Sequence, residues 1–178
     1  MTKAKATAAA LVLAFGLYAQ AAQAATTLEI ESNLSTGQKV FSVFATKSLS
    51  KQVGVFTYLY ASASWSEGYA GLTYAPVSWL EAGLGYGVEQ ATPSYRIGGW
   101  IWAGKDRFSA CYLFEDGGSG PWHKLRLDYQ LTSRVKVGVV DRSFLGNGAS
   151  VELKLNQGTK VQLTVHEHAR LMTFSQAF

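Results

Sequence analysis

Cysteine and proline are scarce in this 178-residue chain, which contains one cysteine, Cys111, and three prolines. A single cysteine excludes an internal disulfide, so we expect a buried structural thiol and another source of stability. No run of basic residues is present and the charges are dispersed, which argues against nucleic acid as a partner. Downstream of residue 24, no segment approaches the ~20 apolar residues that a transmembrane helix needs.

The first residues have the features of a secretory signal. Two lysines precede an apolar stretch over residues 8–18, and a small-residue cleavage pattern ends at Ala24. The apolar stretch is too short to cross a bilayer, as is typical of signal peptides. We therefore predict a signal peptide over residues 1–24, Sec-type export, and a single domain over residues 25–178.

The stretch His123–Leu131 alternates strictly between apolar and polar residues. Leucine and tyrosine at the odd positions alternate with Lys124, Arg126, Asp128 and Gln130. Successive residues of a strand point to opposite faces, so this pattern predicts a strand with one apolar and one polar face. The pattern returns after short turns along nearly the whole chain and predicts twelve strands. Ten strands is the main alternative, and eight is a further one.

Together with export, the alternation predicts an all-β fold, a closed antiparallel up-and-down transmembrane β-barrel that is apolar outside and polar inside. The chain resembles small Gram-negative outer-membrane β-barrels of the porin-like type, as a pattern over the whole region after the signal. Phe178, with Phe174 and Met172 on one face, resembles the signal that the barrel-assembly machinery reads, and the segment Tyr74–Leu80 resembles a common barrel turn. By architecture the chain is similar to narrow twelve-stranded porins for acidic oligosaccharides.

The resemblance implies a bacterial outer-membrane location, contact with outer-membrane lipid and assembly by the barrel-assembly machinery. A soluble periplasmic barrel is the alternative location. Formation of a homo-oligomer is a further possibility that the sequence leaves open.

Charged residues dominate the predicted inward face. With Arg142, Arg96 and Arg170 included, nine basic groups face seven acidic groups, which predicts a slightly positive interior. One interpretation is a water-filled lumen whose charges select solutes; the other is an interior plugged by paired charges. A strip without side chains at Gly83, Gly85 and Gly87 favours the pore. The predicted lining residues are Glu81, Glu89, Arg107, Lys124, Arg126, Asp128, Lys136, Glu152, Lys154, Lys160 and His166.

Aromatic residues mark the expected membrane edges, because amphipathic rings favour the bilayer interface. The facing of Trp100 and Trp102 is open, since the Gly98-Gly99 pair blurs the strand phase; facing inward, they would form a surface on which sugars stack. The predicted interface aromatics are Trp65, Trp79, Trp122 and Phe178.

The segment His166-Glu167-His168 suggests metal or enzyme chemistry, with both imidazoles on one strand face. A catalytic zinc site typically needs a third protein ligand, and no third His-rich segment exists, so we predict neither metal nor cofactor. A lipid-modifying enzyme that uses His168, Ser143 and Glu89 is an alternative, although nothing in their spacing compels it.

The sequence therefore predicts a small outer-membrane channel without catalytic residues, through which small hydrophilic solutes diffuse passively with a mild preference for anions. The first alternative is a closed structural or interaction barrel, and the second is the lipid-modifying enzyme.

Overall fold

The structure is a computed structural model that describes residues 25–178, and the predicted signal peptide over residues 1–24 lies outside the described residues. The described chain consists of twelve β-strands joined by connections of two to five residues. The strands are β1 (Ala25–Asn33), β2 (Lys39–Ser48), β3 (Val53–Ser62), β4 (Ser66–Val77), β5 (Leu80–Glu89), β6 (Tyr95–Lys105), β7 (Phe108–Gly117), β8 (Trp122–Gln130), β9 (Val135–Arg142), β10 (Gly146–Lys154), β11 (Thr159–His166) and β12 (Arg170–Ala177).

Every strand pairs antiparallel with its neighbours in sequence, and β1 pairs with β12 to close the barrel. In this closing seam, Thr27 lies opposite Ala177 and Asn33 lies opposite Leu171. The predicted closed, up-and-down barrel of twelve strands is confirmed, and the alternatives of ten and eight strands are excluded. Within residues 25–178 there is no helix that could span a membrane.

The register separates two faces, because residues that lie opposite each other on neighbouring strands share a face. On β8, Lys124 and Arg126 lie opposite Arg142 and Val140 and point inward, whereas Leu127 points outward. The outward residues form an apolar belt around the barrel, as a barrel surrounded by lipid requires. Exposed members of this belt include Leu72, Leu84, Tyr86, Val139 and Leu163.

The two ends of the barrel differ in what they carry. The end that holds Ala25 and Ala177, here called the terminal end, also carries the shortest turns, at residues 78–79 and 106–107. The opposite end, here called the distal end, carries the connections over residues 34–38 and 90–94. Both termini meet at one end because the strand number is even.

Closure of the seam can be tested by gel mobility after refolding in detergent micelles. A closed barrel resists dodecyl sulfate until it is heated, so we expect unheated protein to migrate differently from heated protein. Phe174→Pro should abolish this shift, because proline removes a ladder donor from β12, which is paired on both sides. Phe174→Ala is the matched control and should retain the shift; loss of the shift in both variants would contradict the role of backbone pairing.

Candidate functional site

The predicted lining residues face inward, with one exception. Arg107 lies in the two-residue turn between β6 and β7 and is exposed. Asp106, with φ of 55°, makes this turn tight, so β7 begins only at Phe108. Arg107 therefore does not line the lumen, contrary to the prediction from the sequence. The residues whose register places them inward are Glu81, Glu89, Lys124, Arg126, Asp128, Lys136, Glu152, Lys154, Lys160 and His166.

Two of the expected interface tryptophans turn toward the interior instead. Trp65 Nε1 donates a hydrogen bond to Glu67 Oε2 at 2.9 Å. Trp122 lies opposite Glu115, and its ring stacks with the Arg142 guanidinium, whose Cζ is 5.7 Å from the ring centroid. Both indoles contact polar partners inside the barrel, so neither lies at the membrane interface as the sequence predicted. Trp79 and Phe178 are exposed at the terminal end, Trp79 at 50% and Phe178 at 78%.

Four aromatic rings from four different strands meet inside the barrel. The ring centroids of Phe44 and Trp100 are 5.2 Å apart, those of Phe56 and Trp100 are 4.5 Å apart, and those of Phe56 and Tyr69 are 6.0 Å apart. These distances and the nearly perpendicular rings are typical of favourable edge-to-face contacts. We call Phe44, Phe56, Tyr69 and Trp100 the aromatic cluster. Because it joins β2, β3, β4 and β6, it narrows the lumen.

The register also settles the direction of the two tryptophans on β6. Trp100 lies opposite Gly83 and Leu113, and Trp102 lies opposite Glu81 and Cys111. Both therefore face inward.

The glycines of β5 make room for these rings and do not leave an open strip. A Cβ atom on Gly83 would overlap the Trp100 ring, and one on Gly85 would lie 2.8 Å from Phe56 Cζ. On β6, a Cβ atom on Gly98 would lie 2.5 Å from Tyr69 Cζ. The expectation that the glycines of β5 widen a pore is corrected: aromatic rings fill the space at Gly83 and Gly85, and backbone atoms of Gly68 and Tyr69 fill it at Gly87.

A buried arginine joins three carboxylates near the distal end. Arg96 Nη1 lies 2.9 Å from Glu89 and Nε lies 3.3 Å from Glu67, while Nη2 binds Glu115. Tyr69 donates a further hydrogen bond to Glu115 at 2.9 Å. Arg96 is only 4% exposed, so the group depends on this mutual pairing to offset its desolvation. We call these four charged residues the Arg96 cluster.

The lining residues predicted from the sequence do not include Glu67. The structure starts β4 at Ser66. Glu67 stands two residues before the inward Tyr69, and period two could have placed it on the same face.

A second arginine reaches across the lumen. Arg142 on β9 donates to both carboxylate oxygens of Glu31 on β1, each at 2.9 Å. Three strands separate β9 from β1 around the barrel, so the pair crosses the interior. Arg126 similarly donates from β8 to Gln162 on β11 at 3.2 Å.

The inward charges are segregated by wall. Strands β1 to β7 carry Glu29, Glu31, Glu67, Glu81, Glu89 and Glu115 against Arg96 alone. Strands β8 to β11 carry Lys124, Arg126, Lys136, Arg142, Lys154 and Lys160 against Asp128 and Glu152.

Seven cations therefore face eight carboxylates, which reverses the expected slight excess of positive charge. Three placements cause the change: Arg107 lies in a turn, Arg170 begins β12 on the outward face opposite Val165, and Glu67 faces inward.

A cavity of about 550 Å³ opens at the distal end, and we call it the vestibule. Its walls combine carboxylates, cations and aromatic rings, including Glu31, Tyr60, Trp65, Trp122 and Arg142. Such a lining can hydrogen-bond a polar solute and stack against a flat ring.

The histidines of the expected metal or enzyme segment are separated. His166 faces inward, is 6% exposed and lies with Nδ1 3.0 Å from the Gly146 carbonyl oxygen, whereas His168 lies in the turn after β11. Glu89 belongs to the Arg96 cluster. His168, Ser143 and Glu89 are thus not brought together, and residues 25–178 contain no group of three or more His, Cys, Asp or Glu arranged to hold a metal ion.

No protein-family profile and no curated protein matches this sequence. Among solved structures, the chain is similar to a KdgM porin in complex with disordered oligogalacturonate, with 12% identity, coverage of 86% of this chain and 98% of that chain, and a TM-score of 0.59. A NanC porin aligns with 5% identity, 85% and 97% coverage, and a TM-score of 0.52. These similarities concern the fold, and they confirm the porin-like barrel predicted from the sequence.

The fit between glycine and ring can be tested with a double-mutant cycle. Gly83→Ala should destabilise the barrel by about 1–3 kcal/mol, because the added methyl group meets the Trp100 ring. The cost should shrink in a Trp100→Ala background, since the ring is then absent. Unfolding by urea in lipid vesicles, followed by tryptophan fluorescence, gives the free energies.

Gly87→Ala is the matched control for this cycle. A Cβ atom there meets backbone atoms of Gly68 and Tyr69, so Trp100→Ala should not relieve its cost. If Trp100→Ala reduced the destabilisation of both glycine variants equally, the result would contradict a specific fit between Gly83 and the Trp100 ring.

Proposed function

We propose that the protein is a bacterial outer-membrane channel through which small hydrophilic solutes diffuse, with a mild preference for anions. The basic wall of β8 to β11 carries this proposal. Lys124 and Arg142 stand near the distal end, Arg126 stands lower, and Lys154 and Lys160 stand near the terminal end. Arg126, Lys136 and Lys160 pair with Asp128 or Glu152 of the same wall at 3.0 to 3.9 Å, so the cations that an anion can use are Lys124 near the distal end and Lys154 near the terminal end.

Ion pairs within the lumen support a preference for anions that is only mild. Glu31 is held by Arg142, and the Arg96 cluster holds three more carboxylates of the opposite wall. Within residues 25–178, Lys124 and Lys154 make no ion pair, and on the acidic side Glu29 and Glu81 make none either. An anion is therefore favoured only along the basic wall.

The aromatic lining supports a saccharide as the solute. Tyr60, Trp65 and Trp122 lie beside charged groups in the vestibule, and an aromatic ring beside a hydrogen-bonding group suits a sugar, which has both apolar and hydroxylated faces. The similar KdgM porin is in complex with oligogalacturonate, a carboxylated oligosaccharide. A short anionic saccharide fits both the rings and the basic wall.

The same proposal covers the location of the protein, its contact with lipid and its assembly. The apolar belt fits contact with outer-membrane lipid, and the even strand number fits termini in the periplasm. Sec-type export, insertion by the barrel-assembly machinery and homo-oligomer formation belong to the proposal as well, on the sequence features described above.

Charge selectivity can be measured in a planar bilayer under a potassium chloride gradient. Wild-type protein should show discrete conductance with a reversal potential on the anion side. Lys154→Gln should lower the ratio of chloride to potassium permeability by about twofold, because one cation of the basic wall is removed.

Glu81→Gln is the matched control and should move this ratio in the opposite direction. A wild-type protein that gives no conductance contradicts the channel, and a cation-selective wild type contradicts the anion preference.

A closed structural barrel is the second candidate, and specific contacts favour it. The aromatic cluster projects into the lumen from the wall that β2 to β6 form, and the Arg142–Glu31 pair crosses the lumen. Both reduce the space through which a solute could pass.

Removal of the largest ring distinguishes the two candidates. Trp100→Ala should increase unitary conductance by about twofold if the lumen is already open. If the barrel is closed, only Trp100→Ala should conduct, while the wild type stays silent. Trp79→Ala, which removes an exposed tryptophan at the terminal end, should leave the conductance of the wild type unchanged.

A further inference from the structure

A serine, a histidine and an aspartate are connected by hydrogen bonds at the distal ends of β8 and β9. The strand phase puts His123 and Asp141 on the outward face, and Ser143 follows in the connection after β9, where it also borders the vestibule. The Ser143 hydroxyl oxygen lies 3.0 Å from His123 Nδ1, and Asp141 Oδ2 lies 3.0 Å from His123 Nε2. The side chains of His123 and Asp141 are 43% and 41% exposed. None of the three belongs to the charged walls or the aromatic cluster of the lumen.

Strand pairing explains why these residues meet. Asp141 is the last outward residue of β9, and Ser143 follows two positions later, immediately after the strand ends at Arg142. The Ser143 N–H donates to the His123 carbonyl oxygen at 3.0 Å, which places His123 directly across from Ser143. The Tyr112 ring on β7 stacks against the imidazole with a centroid distance of 6.3 Å and holds its plane.

The two bonds to the imidazole are compatible with one tautomer. With a proton on Nε2, the ring donates to the Asp141 carboxylate, and the lone pair on Nδ1 accepts the Ser143 hydroxyl proton. The His123 backbone N–H donates to the same hydroxyl oxygen at 2.9 Å and fixes its rotamer. A nucleophile, a base and an acidic group that orients the base are thereby in contact, which is the arrangement that activates serine.

We propose that Ser143, His123 and Asp141 form a catalytic site that hydrolyses carboxylic esters of lipids. The site rests on the proposed outer-membrane location, which puts the distal end in the outer leaflet, and it is an activity separate from the channel. It also revises the enzyme alternative weighed from the sequence, since Ser143 is partnered by His123 and Asp141 rather than by His168 and Glu89.

The reaction proceeds by acyl transfer. Ser143 Oγ attacks the ester carbonyl carbon while its proton passes to His123 Nδ1. The imidazolium, stabilised by Asp141, gives this proton to the departing alcohol oxygen, and the acyl group stays on Ser143. Water then attacks the acyl carbon and gives a proton to His123, and the acid leaves as the proton returns to Oγ.

The surface around the serine suits a lipid ester. Below His123 the outward face continues through Leu125 and Leu127 on β8 and through Val139 on β9, so an acyl chain has an apolar surface to lie on. Phe144, the residue after the serine, has φ of 69° and is 83% exposed. A bulky residue in this left-handed region is strained, and such strain occurs preferentially at functional sites.

The test uses the whole protein in detergent micelles with an alkyl fluorophosphonate, which forms a covalent bond to an activated serine with loss of fluoride. Wild-type protein should be labelled, and mass spectrometry should place the label on Ser143. Ser143→Ala should abolish the label, and Asp141→Asn should slow labelling on the order of a hundredfold, because the base loses its partner. Hydrolysis of a long-chain nitrophenyl ester should fall in parallel.

Ser32→Ala is the matched control. Ser32 also lies on the outward face near the distal end, but its strand partners are Lys39 and Met172 instead of a histidine. It should keep full labelling, and the heat-dependent gel shift checks that every variant is folded.

An unlabelled wild type, or labelling that survives Ser143→Ala, overturns the catalytic site and leaves the three residues as a clamp between strand ends. Conductance of the same wild-type preparation separates this result from the channel. Conducting but unlabelled protein refutes only the esterase, whereas labelled but silent protein refutes only the channel.

Discussion

Backbone pairing between β1 and β12 is the constraint on which the rest of this structure depends. Lipid offers no hydrogen-bond partners, so every N–H and C=O group of the membrane-spanning segment needs a partner in the sheet. The seam provides these partners by setting Glu31 opposite Thr173 and Ile30 opposite Phe174. A shift of one residue would turn Glu31 toward lipid and Ile30 toward the lumen. Closure therefore fixes the composition of the lumen as well as the stability of the sheet.

A closed barrel of twelve strands has an interior that is wider than small side chains can fill. In this chain, aromatic rings fill part of that interior. Glycine on one strand and a large ring on the next are complementary, as at Gly83 and Trp100. In the polar part of the interior, buried charged groups likewise depend on their partners. Arg96 is buried together with three carboxylates, and its loss would leave all three without a cation in a site of low dielectric.

Period-two alternation made much of this predictable from sequence. On β8 it identified the strand, its inward charges and its outward leucines, and similar patterns led to the correct strand number. The alternation is least informative at strand ends, and Glu67 lies at the second position of β4. Strand-end aromatics such as Trp122 fit either the membrane edge or the lumen, and only the cation on the neighbouring strand, Arg142, decides between them.

Contacts between strands were beyond the reach of the sequence. Whether Gly83 leaves a gap depends on the length of a side chain on β6, and no local pattern contains that information. The same limit applies to His123, because its relation to Asp141 and Ser143 depends on the register that the turn over residues 131–134 imposes on β8 and β9. The aspartate and the serine are two positions apart in the sequence, but the histidine comes from the neighbouring strand.

The alternation of side chains also explains how one pair of strands can take part in two separate sites. Trp122 and His123 are adjacent in sequence, yet Trp122 contributes to the vestibule and His123 to the outer face. Arg142 and Asp141 divide in the same way, while Ser143 borders the vestibule. The inward and outward faces of β8 and β9 thus share a backbone, and Ser143 stands where the two faces meet. A substitution at Trp122 or Arg142 leaves the contact between His123 and Asp141 intact as long as the ladder between β8 and β9 holds, so the proposed channel and the proposed ester hydrolysis can be tested independently on this fold.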